Sequence, residues 1–454
     1  MKNFSFTCVL LLSTMVLQAQ DFVQSPYQGS RASSYAVGDF DGDGYDDIFG
    51  VNIQFNGASD LYLFKNDPGS GSLTFQKELI SEGHPGTGDP DAADYDGDGD
   101  LDIVLATGAG LDLVVFENDG SGNFTEVALG VSGSRQLKFG DIDGDGDLDI
   151  AGIDIPTRTI NLFVNDGSQS FTEVNVVTAT TSLKAFALGD LDDDGDLDIV
   201  AGYDEFSGDQ VVLMENDGNN NFGSVVLAAG SGGFRYLSAL AIADLNKDGK
   251  MDIAGVSSYN FSGWINEGSL SFQQQLLADY SGTSSFGFLS LALADFNGDA
   301  IPDAVMGDND GPIVWYKNTS TNPLEYEKRT VGSVAPGYVF EAADFDKDGD
   351  IDIVTSNGDF WWYENVIEQV SAIRLTNAVK LEFFPNPVQN TLRFRHIPMG
   401  KYHYELFGPQ GRRVLSGIIS DVSIEMASLK PGSYFLTVTD AESGARGTAV
   451  VIKQ

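Results

Sequence analysis

Seven times along its 454 residues the chain repeats an acidic nine-residue segment. The first copy is Asp39-Phe40-Asp41-Gly42-Asp43-Gly44-Tyr45-Asp46-Asp47, and the others begin at Asp94, Asp141, Asp190, Asp244, Asp295 and Asp344. Carboxylates at positions one, three, five and nine, with a backbone carbonyl at seven, would surround a hard cation with oxygen. Ca²⁺ takes about 6 to 8 such ligands at roughly 2.3–2.6 Å, with water completing the shell. Zinc would call for His or Cys, and the loops hold neither. The first loop offers Asp39, Asp41, Asp43 and Asp47 with the Tyr45 carbonyl. The second offers Asp94, Asp96, Asp98 and Asp102 with the Asp100 carbonyl, and the third Asp141, Asp143, Asp145 and Asp149 with that of Asp147. The fourth offers Asp190, Asp192, Asp194 and Asp198 with Asp196, and the seventh Asp344, Asp346, Asp348 and Asp352 with Asp350. Loops five and six carry Asn246 and Asn297 at position three. That leaves Asp244, Asp248 and Asp252 with the Lys250 carbonyl, and Asp295, Asp299 and Asp303 with that of Ile301, so both should bind more weakly. Position six is Gly, which permits a left-handed turn, except in loop six, where Ala300 makes the Asp295 loop the weakest of up to seven calcium sites. Position twelve is never Glu and the flanks read as strands, so these are not EF-hands. Solvated acidic turns are the plainer alternative, but packing three or four carboxylates together costs repulsion unless a cation is present.

The loops need a frame that repeats with them. In phase runs a second mark, an apolar stretch ending in Asn at Asn66, Asn118, Asn165, Asn216, Asn266, Asn318 and Asn365. A period-two run enters each loop, as in Leu289-Ser290-Leu291-Ala292-Leu293-Ala294, and a second strand leaves it. The third strand ends in the Asn, and a turn such as Asp119-Gly120 leads to a fourth that begins at an aromatic: Phe75, Phe124, Phe171, Phe222, Phe272 or Tyr326. Four strands per 50 or so residues, without helical periodicity, describe a β-propeller blade. The expected fold is all-β: a seven-bladed propeller over residues 21–366, with a β-sandwich or solenoid as the competing arrangement. The seventh unit lacks a fourth strand of its own, and residues 22–28 are expected to supply it and close the ring.

Composition sets the boundaries. Residues 21–370 hold 61 acids and 14 bases, net −47, while residues 371–454 hold 6 and 10, net +4, which separates two domains. A body so acidic repels phosphate backbones, so nucleic acid is excluded as a partner and cations are favoured. Residues 1–20 read as a secretory signal peptide: Lys2, an apolar core, then Gln18-Ala19-Gln20. The core is too short for a membrane anchor, and no later stretch qualifies as a transmembrane segment of the mature chain. The single cysteine, Cys8, falls within that leader, so disulfides, thiolate nucleophiles and Cys-bound zinc are excluded from the mature chain.

The seven segments resemble FG-GAP (integrin-α-like) and VCBS repeats, whose hallmark is Asp-x-Asp-x-Asp-Gly-x-x-Asp, and the resemblance spans residues 22–365. It implies a seven-bladed propeller with calcium hairpins on one face and ligands on the other, bound by the loops leading into each first strand. Carried over by position, those loops hold Arg31, Arg135, Lys184 and Arg235, with His84 in Gly83-His84-Pro85 and Tyr338, Phe234, Phe286 and Phe288 nearby. Cations beside aromatics suit an acidic glycan, although ordinary surface charge is the simpler account. The resemblance also implies an alternative, a calcium-dependent polysaccharide lyase. His84 would then be the only imidazole outside the C-terminal region, which holds His396 and His403, and Tyr338 or Tyr35 its partner.

Residues 367–378 read as a linker. Residues 379–454, with Phe384-Pro385-Asn386-Pro387, Gly411-Arg412-Arg413-Val414, Leu429-Lys430-Pro431-Gly432 and the ending Val451-Ile452-Lys453, resemble the C-terminal sorting domain of the Bacteroidetes type IX secretion system. That resemblance implies a small β-sandwich that engages the secretion machinery and sends the chain to the outer-membrane exterior. A carbohydrate-binding β-module is the other reading of this tail. The sequence therefore predicts a secreted or cell-surface calcium-binding propeller acting in binding or adhesion, with a glycan or surface protein as ligand, rather than an enzyme.

Overall fold

The computed structural model describes residues 22–26, 34–53, 57–66, 75–85, 87–108, 110–154, 157–179, 181–204, 210–229, 237–280, 288–308, 313–331, 339–347, 349–357, 359–365, 371–374, 380–384, 386–394, 402–408, 412–419, 423–441 and 446–453. Everything regular among them is strand. The expected leader over residues 1–20 lies outside the described residues.

Contacts divide the chain into two compact units, Met1–Val366 and Ile367–Gln454. Among the described residues the first is a propeller of seven four-stranded antiparallel sheets. The inner strands, in blade order, are Ser34–Gly38, Asp91–Ala93, Gln136–Gly140, Ser182–Gly189, Leu237–Ala243, Phe288–Ala294 and Val339–Ala343. Each sheet packs on the next, and the seventh packs on the first. Blade 7 is completed from the other end of the chain: Phe22–Pro26 pairs antiparallel with Asp359–Asn365, Phe22 opposite Asn365. Phe22 is 1% exposed and meets Phe296 and Trp315 of blade 6 edge-on, with ring centroids 6.3 and 5.9 Å away. Closing the ring in this way removes the open strand edges that an unclosed sheet would present.

The cores lie between blades because both faces of a blade are covered by neighbours. The middle strands consequently read as unbroken apolar runs rather than alternating ones: Asp102–Thr107 is buried throughout, as is Asp149–Asp154. Phe40, Phe49 and Leu63 of blade 1 pack with Ile103, Leu105 and Phe116 of blade 2. The fourth strands begin at the expected aromatics in blades 1 to 5, but in blade 6 the strand starts two residues earlier, at Leu324. Leu324 is 5% exposed and belongs to the core shared with blade 5, so packing extends the strand past the tyrosine.

The second unit is two four-stranded sheets around a core that includes Phe383, Leu392, Leu406 and Leu436. Its first strand, Ser371–Arg374, pairs with Lys380–Phe384, Ile373 opposite Leu381. Part of the segment expected as a linker over residues 367–378 is therefore the edge of this sheet.

Candidate metal centres

Each acidic loop is pinned at its ends before it can act as a site. The residue at position two (Phe40, Tyr95, Ile142, Leu191, Leu245, Phe296 and Phe345) is buried between blades and anchors the loop. The position-nine aspartate is also buried and works as a double acceptor. Its Oδ1 takes the backbone N–H of the blade's Asn in all seven blades, at 2.7–2.9 Å. Its Oδ2 takes the N–H of position two in blades 1 to 5, at 3.0–3.2 Å. Burial nevertheless pushes these carboxyls up, Asp47 to about 7 and Asp102, Asp149, Asp198, Asp252 and Asp303 to about 6, against the pull of the backbone hydrogen bonds.

The position-one aspartate uses one oxygen to shape the turn. Its Oδ2 accepts the N–H of position six in every loop, at 2.6–3.1 Å. The glycines there have φ between 91° and 99°, and loop six takes the same left-handed turn with Ala300, at φ 63°. Position five holds position seven through its Oδ1, as in Asp43 to the Tyr45 N–H at 2.9 Å and Asp194 to that of Asp196 at 3.0 Å.

What remains points inward. Carboxylate oxygens converge within 4.8 Å of one another for Asp39, Asp41 and Asp43, for Asp94, Asp96 and Asp102, for Asp141, Asp143 and Asp149, and for Asp190, Asp192 and Asp194. Within these groups the Oδ1 atoms of Asp39, Asp41, Asp141, Asp143 and Asp192 are sealed from solvent without a hydrogen-bond partner, as is Asp344 Oδ1 in loop seven. Burial, and then the neighbouring Asp43 and Asp194, raise the Asp41 and Asp192 carboxyls. Buried anionic oxygens with no donor are costly, and a cation at the point of convergence would satisfy them together. The donor set is all oxygen, so the residues present fit a hard divalent ion.

Loops five and six differ as their Asn residues foretell. Asn246 Oδ1 accepts the Asp248 N–H at 2.9 Å, and Lys250 Nζ lies 3.3 Å from Asp248 Oδ2. In loop six the Asn297 amide donates to Asp303 Oδ2 at 2.7 Å, which places an N–H where another loop has an anion. Asp299 holds the Ile301 N–H at 3.0 Å. In loop seven Asp346, Asp350 and Asp352 are described, while Asp348 lies outside the described residues.

The Asn in phase with each loop does more than mark the repeat. Its Nδ2 donates to the position-two carbonyl of the preceding blade: Asn66 to Phe345, Asn118 to Phe40, Asn216 to Ile142, Asn266 to Leu191, Asn318 to Leu245 and Asn365 to Phe296, at 2.6–3.0 Å. Six of the seven acidic loops are thereby tied to the next blade around the ring. The sequence showed the period but not this bond.

Of the expected ligand-face residues, His84, Lys184 and Arg135 are among the described residues. His84 is in a strand, Phe75–Pro85, rather than a loop, because the outer hairpin extends past two register shifts to pair His84 with Ser59. Its Nε2 is 2.7 Å from Ser81 Oγ and its ring meets Phe116 edge-on at 6.0 Å, at the contact of blades 1 and 2. Lys184 likewise lies within Ser182–Gly189, at a bulge. Arg135 is exposed in the loop before the blade 3 inner strand, its carbonyl accepting the Asp89 N–H at 2.9 Å. Tyr35 is buried between blades 1 and 7. Arg31, Arg235, Tyr338, Phe234, Phe286 and His396 lie outside the described residues, as does the side chain of Phe288.

Six overlapping stretches, 39–105, 94–152, 141–201, 190–255, 244–306 and 295–355, match the model of the FG-GAP-like repeat, each bracketing two successive acidic loops. Residues 382–453 match the secretion system C-terminal sorting domain. No curated protein sequence matches significantly. Among solved structures, the chain is similar to an Agrocybe aegerita lectin described as recognising non-reducing terminal N-acetylglucosamine. Identity is 19%, with 73% of this chain and 86% of the lectin covered, at a TM-score of 0.50. PorZ, a surface component of the type IX secretion system of Porphyromonas gingivalis, aligns at 9% identity over 95% of this chain and 61% of its own, with a TM-score of 0.47.

Proposed function

The chain belongs to the FG-GAP-like repeat family, and from that premise we propose that its propeller is a calcium-stabilised binding module with a glycan or other surface component as ligand. The sorting domain marks the chain for secretion and surface attachment through the type IX system, so such a module would meet its ligand outside the cell. The observation that carries the calcium reading is the set of sealed, donorless carboxylate oxygens converging in the acidic loops. Calcium supplies no chemistry here beyond neutralising and rigidifying; the chain's own loops, tied blade to blade by the Asn amides, do the presenting.

Glycan is the ligand class because a propeller of this fold serves a lectin, and because a rigid ring of loops is a preorganised surface. The acidic subclass of glycan rests on Arg135 and Lys184. We read the chain as a binder rather than a lyase, since the His84 imidazole is engaged with Ser81 and Phe116.

Calorimetric titration of metal-stripped protein with Ca²⁺ tests the first part. Calcium at about 100 times Kd adds about 2.7 kcal/mol for each occupied site, so the melting temperature should rise by many degrees and fall again with chelator. A melting curve indifferent to both would remove calcium. A glycan array probed with the calcium-loaded chain tests the second part, and incubation with acidic polysaccharides, followed for new unsaturated ends, would reveal a lyase.

A further inference from the structure

The inner strands carry one residue each at the level three positions before their acidic loop, and the pairing register makes these residues equivalent. Ala36 lies opposite Phe49, Asp91 opposite Val104, Lys138 opposite Ala151, Ala187 opposite Val200, Ala241 opposite Ala254, Ala292 opposite Val305, and Glu341 opposite Val354. Four blades place alanine at this level. Blades 2, 3 and 7 place an aspartate, a lysine and a glutamate.

These positions surround the hollow where the seven sheets converge. A cavity of about 330 Å³ opens there, on the side away from the acidic loops, and every blade contributes to its lining. That volume suits a small ligand. Lys138 and Glu341 line it, with Asp89, Gln136, Ser34 and Ser290 one layer nearer the opening. Charge occupies the arc from blade 7 through blade 3, with Ser290 beside it on blade 6; blades 4 and 5 show it Ala185, Phe186, Ser238, Ala239 and Leu240. The Ser290 hydroxyl oxygen is sealed from solvent and has no hydrogen-bond partner.

The charges are not balanced. Asp91 spends both oxygens within the wall, Oδ1 accepting from Lys138 Nζ at 2.6 Å and Oδ2 from the Phe139 N–H at 2.9 Å. Burial works against the Lys138 charge, but Asp91, Glu341 and Asp89 outweigh it and raise its pKa, so the amine stays protonated. Asp89 and Glu341 then share a counter-charge already committed to Asp91, with Arg135 also acting on Asp89, so the three carboxylates and two bases carry −1 when all are ionised. Desolvation raises the Asp89 carboxyl against the pull of the Ser34 hydroxyl, Lys138 and Arg135, and takes that of Glu341 to about 7 against the pull of Lys138. An anion would enter against this field; a cation would relieve it.

We propose that this mouth is a binding site for a primary ammonium group on a short aliphatic chain, the ammonium held by Glu341 and Asp89 and the methylenes lying on Ala185 and Ala239. The same group could arrive on a free alkylamine or on a lysine side chain, and the test separates the two sources. It stands apart from the glycan reading and is run at saturating Ca²⁺, so that the acidic loops do not compete for the probe.

The full chain is titrated calorimetrically with n-pentylamine, with Nα-acetyl-lysine-N-methylamide, with n-pentanol and with glucuronate. At least one amine should bind ten times more tightly than pentanol, and Glu341→Gln should weaken it tenfold or more. Ala239→Leu, which fills the hollow without touching a charge, should also abolish binding, and melting curves of both variants establish that each is folded. Tighter binding of the capped lysine assigns the site to a protein partner; tighter binding of pentylamine assigns it to a free amine. Amines binding no better than pentanol, amines binding equally well to a folded Glu341→Gln or Ala239→Leu chain, or glucuronate binding more tightly than either amine would each overturn the site.

Discussion

At the scale of single residues the repeat divides labour among chemically identical aspartates. The position-nine carboxylates are structural first: buried and accepting backbone N–H groups, they hold the loop to the third strand whether or not a cation is present. Positions one and three supply the orphaned oxygens. Loop six breaks the pattern twice, with Ala300 in the left-handed region and the Asn297 amide donating to Asp303. A non-glycine residue there costs roughly 1–2 kcal/mol. Ala300→Gly should therefore raise stability by about 1 kcal/mol, after allowing for the greater freedom of glycine in the unfolded chain, read as a higher denaturant midpoint at unchanged slope. Asn297→Asp replaces a donor by a carboxylate. In metal-free protein it should destabilise, and in calcium it should add one site to the stoichiometry measured for the parent chain; an unchanged count would mean that loop six fails for a reason other than its Asn.

Between blades, stability rests on a few contacts that span large stretches of chain. The Asn66 amide meets the Phe345 carbonyl 279 residues away, and Phe22 is the fourth-strand anchor of blade 7. Asn216→Ala strands the Ile142 carbonyl in a buried seam and should cost about 1–3 kcal/mol. Asn216→Asp should cost at least as much, since a carboxylate cannot donate. Deleting residues 21–29 removes the closing strand, and a sharp fall in melting temperature with a tendency to associate through the bared edge is the expected result. A normal melting curve would mean that blade 7 closes on three strands. Period-two alternation, Asp-Gly turns and the acidic spacing made the strands, the blades and the N-terminal closure legible in the sequence, because each is a local pattern repeated. The Asn amide bonds were not, because the partner is a backbone carbonyl with no side-chain signature. His84 and Lys184 were misplaced into loops because bulges let strands run past the turn signals. The charged triad of the axial hollow was visible only on comparing one position across repeats, where Asp91, Lys138 and Glu341 stand among alanines.

Over the whole propeller these local effects combine into a dependence on pH. Burial holds six position-nine carboxyls, Asp47, Asp102, Asp149, Asp198, Asp252 and Asp303, at about 6 to 7 when folded, against an ordinary value near 3.8, and Glu341 behaves alike at about 7. The folded state therefore holds more protons than the unfolded chain between these limits. That contribution to stability is fully present below about pH 4 and is lost as the pH rises through 6 to 7. Self-repulsion in a body of net charge −47 acts in the same direction. Metal-free protein should accordingly melt at a lower temperature at pH 8 than at pH 5. Calcium needs the carboxylates ionised, so its stabilisation should be small at pH 5 and grow towards pH 8, with protons released on binding. Added salt separates the two contributions: about 0.5 M NaCl screens the exposed charges but leaves the buried carboxyls largely untouched. A metal-free melting temperature that recovers fully with salt at pH 8 would assign the effect to surface repulsion. One that recovers only in part, and then completely with calcium, would assign the remainder to the buried aspartates. A metal-free chain that grows more stable from pH 5 to pH 8 would contradict the premise that these carboxyls are held above their ordinary range by burial.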